Sequence, residues 1–332
     1  MSKLIPNVIY TMNGVKVHEK IIPDGTVWKN GEKAAKAGFR AGEPYKKGMK
    51  LSGNTGKVRC VTIHNTNYLS NVSDDAEQYT RATYNENMGS ARVHFYIDEN
   101  GAWQNLRAGT GLCTNDPVNC AEVSWHAGDG SSANGGNMTS LSLELIMGDN
   151  AQKDEKTVDN GARVAAWLLW KHGLKMDALL THTFWVNQAR GKRFANVDEQ
   201  CTNRITGGKW CPAYIFASQE PSVARKNWMR FKERVAEYLA ALSGMATEKK
   251  PETAPKVEKP TGVSVNDLVS IADNATYYNG QSIPKWVRAQ RWYVKSVIST
   301  RAVIDQNESR TNSICSPIHV KYLTVVRSAK AE

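Results

Sequence analysis

The chain has 332 residues, enough for two domains, and 41% of them are hydrophobic, an ordinary share for a protein that buries a core. No run approaches the ~18 consecutive apolar residues of a membrane helix, which argues against stable membrane insertion. The net charge of +11 asks for an acidic partner, but the basic residues are mixed with acidic ones and form no dense block or nucleic-acid module, so nucleic acid is disfavoured against other anionic polymers and surfaces.

The opening residues, Met1 to Val8, lack the apolar core and small-residue cleavage site of a signal peptide, so the expectation is a chain made without one. Six cysteines are present, Cys60, Cys113, Cys120, Cys201, Cys211 and Cys315, with no Cys-x-x-Cys pair. A zinc ribbon and a thioredoxin-type site both lose support, and free thiols are expected.

In chain order, Ile21 to Thr26 suggests an extra hairpin within the N-terminal extension 1–56. Val58 to His64 has the apolar content of a buried strand. Ser73-Asp74-Asp75 supplies an N-cap and an acidic first turn for a helix to about Asn87. Val93 to Asp98 and Ala102 to Leu106 form a hairpin turning at Asn100-Gly101. Leu141 to Ile146 alternates as a half-buried strand does, Asn160 to His172 has helical spacing before Gly173, and Leu179-Leu180 is a short strand leading to His182. Pro221 to Leu242 is a long amphipathic helix. The interleaving predicts an α/β domain, a mixed β-sheet flanked by helices, over residues 1–245.

Residues 246–262 are rich in Pro, Glu and Lys and poor in large apolar groups, the composition of a semi-extended linker. Beyond it, residues 263–332 change to short strands between turns: Asp267 to Ile271, Tyr277-Tyr278 before Asn279-Gly280, Trp292 to Val297, Arg301 to Ile304 and Tyr322 to Val326. This predicts a small β-barrel domain.

A catalytic zinc site needs three protein ligands and an open position. His64 and His182 stand at predicted strand ends, and Cys211 sits in Lys209-Trp210-Cys211-Pro212. Singly, each has a plainer role, a satisfied polar residue or a small buried hydrophobe. Cys201 is a rival ligand.

Taken in order, the motifs resemble the phage-lysozyme and peptidoglycan-recognition-protein amidases. Val61-Thr62-Ile63-His64-Asn65-Thr66 is similar to that family's first motif, Ser124-Trp125-His126-Ala127-Gly128 to its central one, and Ser140 to Ile146 to the strand that carries a carboxylate. Leu180-Thr181-His182 and Lys209-Trp210-Cys211-Pro212 resemble its closing motifs, and the likeness runs from about Val58 to Leu242. The resemblance implies Zn2+ held by His64, His182 and Cys211, with Glu144 as general base and Lys209 stabilising the oxyanion. The implied reaction is hydrolysis of the amide between the muramic acid lactyl group and L-alanine in bacterial peptidoglycan. His126 and Trp125 are candidates for the substrate groove. Val93 stands where many members have Tyr, which leaves His94 to support the ligands from behind, and residues 183–208 are an insertion. His18, His172 and His319 have no such context.

Residues 280–294 resemble the Src-homology-three-like modules of phage endolysins. That likeness implies a wall-binding surface that includes Trp286, Trp292, Tyr277 and Tyr278, with peptidoglycan and anionic wall polymers as partners. It also implies synthesis in a bacterial host cytoplasm and action on the wall after holin-type release. Non-catalytic peptidoglycan recognition and a zinc peptidase acting on the stem peptide are the competing readings. The Cys211 ligand and the order of the motifs disfavour both.

Overall fold

A computed structural model describes residues 4–36, 38–44, 48–66, 75–85, 91–148, 150–247, 262–277, 282–298 and 301–329. It divides into two compact units, Met1–Glu248 and Lys249–Glu332. Most of the expected linker, residues 248–261, lies outside the described residues.

The first unit opens with a hairpin of β1 (Val8–Met12) and β2 (Val15–Glu19). Its turn, Asn13-Gly14, has φ of 47° and 81°, a conformation that Asn and Gly adopt at low cost. The extra hairpin therefore precedes the expected position. Residues 21–26 form instead a turn in which Thr26 N–H donates to the Pro23 carbonyl. The Ile21 and Ile22 side chains are buried, and that apolarity suggested a strand.

Next come α1 (Gly31–Lys36), the short turn α2 (Leu51–Asn54), β3 (Cys60–Asn65), α3 (Ala76–Tyr84), β4 (Phe95–Asp98), β5 (Gly101–Gln104), α4 (Gly136–Thr139) and β6 (Ser140–Leu145). They are followed by α5 (Ala151–Lys171), β7 (Leu179–Thr181), α6 (His182–Ala189), α7 (Val197–Thr202), α8 (Ala213–Phe216) and α9 (Pro221–Thr247). Seven strands make one mixed sheet in the order β1-β2-β5-β4-β6-β3-β7. Among the described residues no helix is long and apolar enough to cross a membrane.

The α3 helix is capped by Asp75, whose carboxylate accepts from Gln78 N–H at 2.7 Å; Ser73 and Asp74 of the predicted start lie outside the described residues. Gly101 ends the β4–β5 turn at φ 148°, where a Cβ would stand 2.4 Å from the Lys16 carbonyl of β2. Only glycine admits β2 so closely.

Central strands have two chemically different faces. Leu141, Leu143 and Leu145 of β6 and Val61 and Ile63 of β3 join a core with Val158, Ala162, Ala165 and Leu169 of α5. Opposite them, Thr62 pairs with Ser142 and His64 with Glu144 in parallel register, so one sheet face carries a polar row.

The α5 helix begins at Ala151, well before the predicted Asn160, because the Asn150 side chain caps it by accepting from Gln152 and Lys153 N–H. Its polar first turns carry no apolar period to reveal them. Against α5 lies α9, joined through Asp159: Tyr238 Oη–H donates to it at 2.7 Å and Arg163 Nε–H at 2.9 Å. Burial would raise this carboxyl, but Tyr238 and Arg163 hold it below the usual range. A depressed carboxyl stabilises the fold above its unfolded pKa near ~4, and the contribution disappears as pH falls through the folded value. Asp159→Asn is therefore expected to cost about 1–2 kcal/mol at pH 7, a modest value for a partly exposed charged hydrogen bond. In thermal melts the gap from wild type should close as pH drops below ~4. A gap independent of pH would assign the effect to packing.

The second unit contains β8 (Leu268–Ile271), α10 (Lys285–Arg288), β9 (Trp292–Ile298), β10 (Arg301–Asn307), β11 (Ser313–His319) and β12 (Leu323–Arg327). These strands form a five-stranded antiparallel sheet in the order β11-β10-β9-β8-β12, consistent with the small β-rich domain expected; β11 and β12 are at the ends of that order. Val269, Trp292, Val294, Ile304 and Ile318 lie in its core.

Candidate active site and metal centre

Three elements bring the proposed ligands together. His64 is near the end of β3, His182 is the first residue of α6, one step past β7, and Cys211 lies just before α8. Each offers one ligand atom, and these atoms lie within 4.8 Å of one another. His64 Nδ1 is 3.8 Å from Cys211 Sγ. Ligand atoms around a tetrahedral zinc are about 3.3–3.8 Å apart, so contraction of roughly 1 Å in side-chain positions would seat an ion. Two imidazole nitrogens and a sulfur are a donor set suited to zinc.

The insertion 183–208 folds as most of α6 and as α7, and the chain then returns Cys211 to His182. Thr183 clamps it: Cys211 N–H donates to Thr183 Oγ1 at 3.0 Å, and Thr183 N–H donates to the Cys211 carbonyl at 3.2 Å. Cys201 is absent from the cluster. It is fully buried in the core, and its carbonyl accepts from Thr181 Oγ1 at 2.7 Å.

Behind His64 stands His126, 9% exposed, with its Nδ1 2.8 Å from His64 Nε2. His126 Nε2 is 3.2 Å from the Gly136 carbonyl, a pure acceptor, so Nε2 carries the proton. Nδ1 of His126 then accepts from His64 Nε2–H, which leaves the His64 Nδ1 lone pair toward Cys211. The expected groove residue His126 is thus placed to orient a ligand. The Asn137 side chain fixes the His126 loop by accepting from His126 and Ala127 N–H, each at 2.8 Å.

Burial pushes the His64 imidazole well below its ordinary pKa, helped by His182, His126 and Lys209, and burial with Lys209 lowers His182 to about 4. Both imidazoles are therefore neutral at neutral pH, the ligand form. Burial and the Glu144 charge push the Cys211 thiol up to about 12. A cation in the cluster would reverse that by stabilising the thiolate.

Glu144 pairs in register with His64 on one side and Tyr96 on the other. Burial raises its carboxyl to about 8, against the opposing pull of Lys209. Lys209 is exposed, and its positive charge acts on His64, His182, Glu144 and Cys211 alike. Trp125 is half-buried. Val93 packs with Tyr96 and Ile146, and His94 lies behind the site, its Nδ1 3.0 Å from Ser142 Oγ and its Nε2 2.8 Å from the Glu122 carbonyl. Thr183 and Asn137 escaped the sequence reading; a Thr directly after a ligand His and an Asn in a glycine-rich loop are too common to mark a site.

In the C-terminal unit Trp286 is 52% exposed on α10. Trp292 was expected at a binding surface, but it is fully buried, and its indole N–H donates to the Val287 carbonyl at 2.8 Å. It fills the small core, as large aromatics of a small sheet must. Tyr277 is half-buried and bridges to Ile318, while Tyr278 lies outside the described residues.

Residues 54–214 match the family profile described as N-acetylmuramoyl-L-alanine amidase. The N-acetylmuramoyl-L-alanine amidase CwlH of Bacillus subtilis (strain 168) is 27% identical over 127 residues, 38% of this chain and 44% of CwlH, so the chain spans less than half the length of that curated relative. Similar solved structures include the catalytic domain of XlyA, with 20% identity over 67% of this chain and 99% of that one at a TM-score of 0.42. A mutant endolysin from Bacillus subtilis is 22% identical over 67% of this chain and 99% of that one, at a TM-score of 0.41. The profile match and the CwlH likeness thus make residues 54–214 similar in sequence to N-acetylmuramoyl-L-alanine amidases.

Proposed function

We propose that the first unit hydrolyses the amide between the lactyl group of N-acetylmuramic acid and L-alanine in bacterial peptidoglycan, with zinc held by His64, His182 and Cys211. The observation that carries this reading is the convergence of those three ligand atoms within 4.8 Å, with Glu144 in register beside His64. Zinc there would supply a Lewis acid for the scissile carbonyl and lower the pKa of the attacking water. Glu144 takes the proton from water as its oxygen bonds to the carbonyl carbon, then delivers it to the amine as the C–N bond breaks. A carboxyl raised toward neutrality suits both halves of that transfer. Lys209 offers its ammonium to the oxygen on which negative charge develops. His126 keeps His64 in the tautomer with Nδ1 free.

Digestion of purified peptidoglycan tests the reading. Peptides with free N-terminal L-alanine should appear and the glycan strands should stay intact. New reducing sugar ends would indicate a glycosidase, cuts within the stem peptide would indicate a peptidase, and binding without release would leave only a recognition protein.

The second unit, on the same proposal, retains the enzyme at the wall through Trp286, and the biological setting is lysis of a host bacterium by a phage endolysin after its release from the host cytoplasm. Resemblance of the motifs supports that setting, and the exposed indole supports the binding role. Trp286→Ala in the full chain should weaken sedimentation with isolated walls by roughly tenfold, the scale of one exposed aromatic anchor. Unchanged sedimentation would remove Trp286 from the binding surface.

A further inference from the structure

The catalytic unit has a second concave site at the far end of β3 from His64. A cleft of about 460 Å³ is lined by Thr55, Gly56, Lys57, Asn119, Lys171 and His172, among others. Lys57 precedes β3, and His64 stands near the strand's other end. At ~3.3 Å per strand residue the two lie roughly 23 Å apart, so the cleft is distinct from the zinc cluster.

Its charge is one-sided. Two ammonium groups and an imidazole line it, and no carboxylate does among the described residues. The carbonyl end of α5 opens nearby, since His172 is that helix's C-cap. A helix end contributes about −0.5 charge, which two lysines outweigh. Asp116 is felt at His172, but its carboxylate is engaged by Ala108, Gly109 and Thr110 N–H and by the Thr110 hydroxyl.

The imidazole of His172 is half-satisfied. It is hydrogen-bonded to the Ala108 backbone, while Nε2 is buried with no partner. Nε2 is thus the ring atom of this lining side chain that has no protein partner. Buried polar atoms of native proteins are almost always paired with protein, water or ligand, so this nitrogen is a polar position available beside the two lysines. Burial and Lys171 lower the His172 pKa, and a bound anion would reverse that and make Nε2 a donor.

The wall of the cleft is preformed. Gly56 has φ 72°, and a Cβ there would stand 2.1 Å from the Asn119 carbonyl. Only glycine lets the Thr55–Lys57 segment and Asn119 press together so closely.

We propose that this cleft binds a phosphate group, either free or as the repeating phosphodiester of an anionic wall polymer. Lysine ammoniums act as point charges and suit a tetrahedral oxyanion, whereas a planar carboxylate is best held by the fork of an arginine, and no arginine lines the cleft among the described residues.

The test is an NMR titration of the full chain with inorganic phosphate, glycerol 3-phosphate and poly(glycerol phosphate), with chloride holding ionic strength constant. Saturable shifts are expected at Gly56, Asn119 and His172. The Lys57→Gln/Lys171→Gln double variant should bind about tenfold more weakly or worse, yet release L-alanine peptides from soluble fragments at the wild-type rate. Tighter binding of the polymer per phosphate would identify the polymer as the ligand, and equal binding would identify free phosphate. Shifts that never saturate, or a double variant that binds as wild type does, would overturn the proposal.

Discussion

Cys211→Ser is expected to lose both bound zinc and amidase activity, while Cys201→Ser keeps both. The two cysteines are buried alike and both thiols are pushed up to about 12, so neither burial nor thiol acidity tells them apart. Position does. Cys211 Sγ is 3.8 Å from His64 Nδ1, and its backbone is fastened to Thr183. Cys201 lies in α7 among core side chains, its carbonyl held by Thr181. A serine hydroxyl does not ionise under the conditions in which zinc displaces a thiol proton, so Cys211→Ser removes a charged ligand and should lower metal affinity by more than ~10²-fold. Activity should fall by at least as much. Cys201→Ser buries a hydroxyl in the core and should cost only about 1–3 kcal/mol of stability. Metal content by mass spectrometry, measured with peptide release, reads both variants. Metal retained in Cys211→Ser and lost in Cys201→Ser would transfer the ligand role to Cys201.

Sequence revealed the site better than its supports. His64, His182 and Cys211 are rare residue types in ordered motifs, and their convergence follows once β3 and β7 are adjacent parallel strands. The polar row of β3 and β6 was half visible, because Glu144 alternates with leucines along one strand. The role of His126 was not visible. It depends on a 2.8 Å contact between residues 62 positions apart, which no local pattern encodes. In the C-terminal unit β11 was missed because Ser313, Ser316 and Pro317 dilute its strand character. An edge strand tolerates such a proline, since its N–H side can face away from the ladder. Trp286 and Trp292 look alike in sequence. Only the core around Val287 and Ile304 decides that one indole is exposed and the other fully buried.

Glu144→Gln is expected to keep zinc and wall binding while turnover falls by roughly 10²–10⁴-fold, the usual worth of a positioned proton-transfer group. Glutamine preserves the volume and most hydrogen bonds of the carboxyl, so a purely structural role would leave the rate nearly unchanged. The pH profile gives a second reading. Burial raises the Glu144 carboxyl to about 8 in the metal-free site, and the positive charges of Lys209 and a bound cation act to lower it. Since a base must be ionised to work, the wild-type rate should rise with pH along an acid limb below ~8, and this limb should be missing from the residual activity of Glu144→Gln. Stability should move the other way. A carboxyl whose folded pKa lies above its unfolded value favours the fold at low pH and loses that contribution as pH rises through the folded value. Metal-free Glu144→Gln, which has nothing to ionise, should therefore gain on metal-free wild type as pH rises from ~5 to ~9, as measured by denaturant melts at each pH. A variant slow at every pH yet without that gain would be slow for a reason other than the loss of a buried ionisable carboxyl, and a variant with near-normal turnover would remove Glu144 from the mechanism.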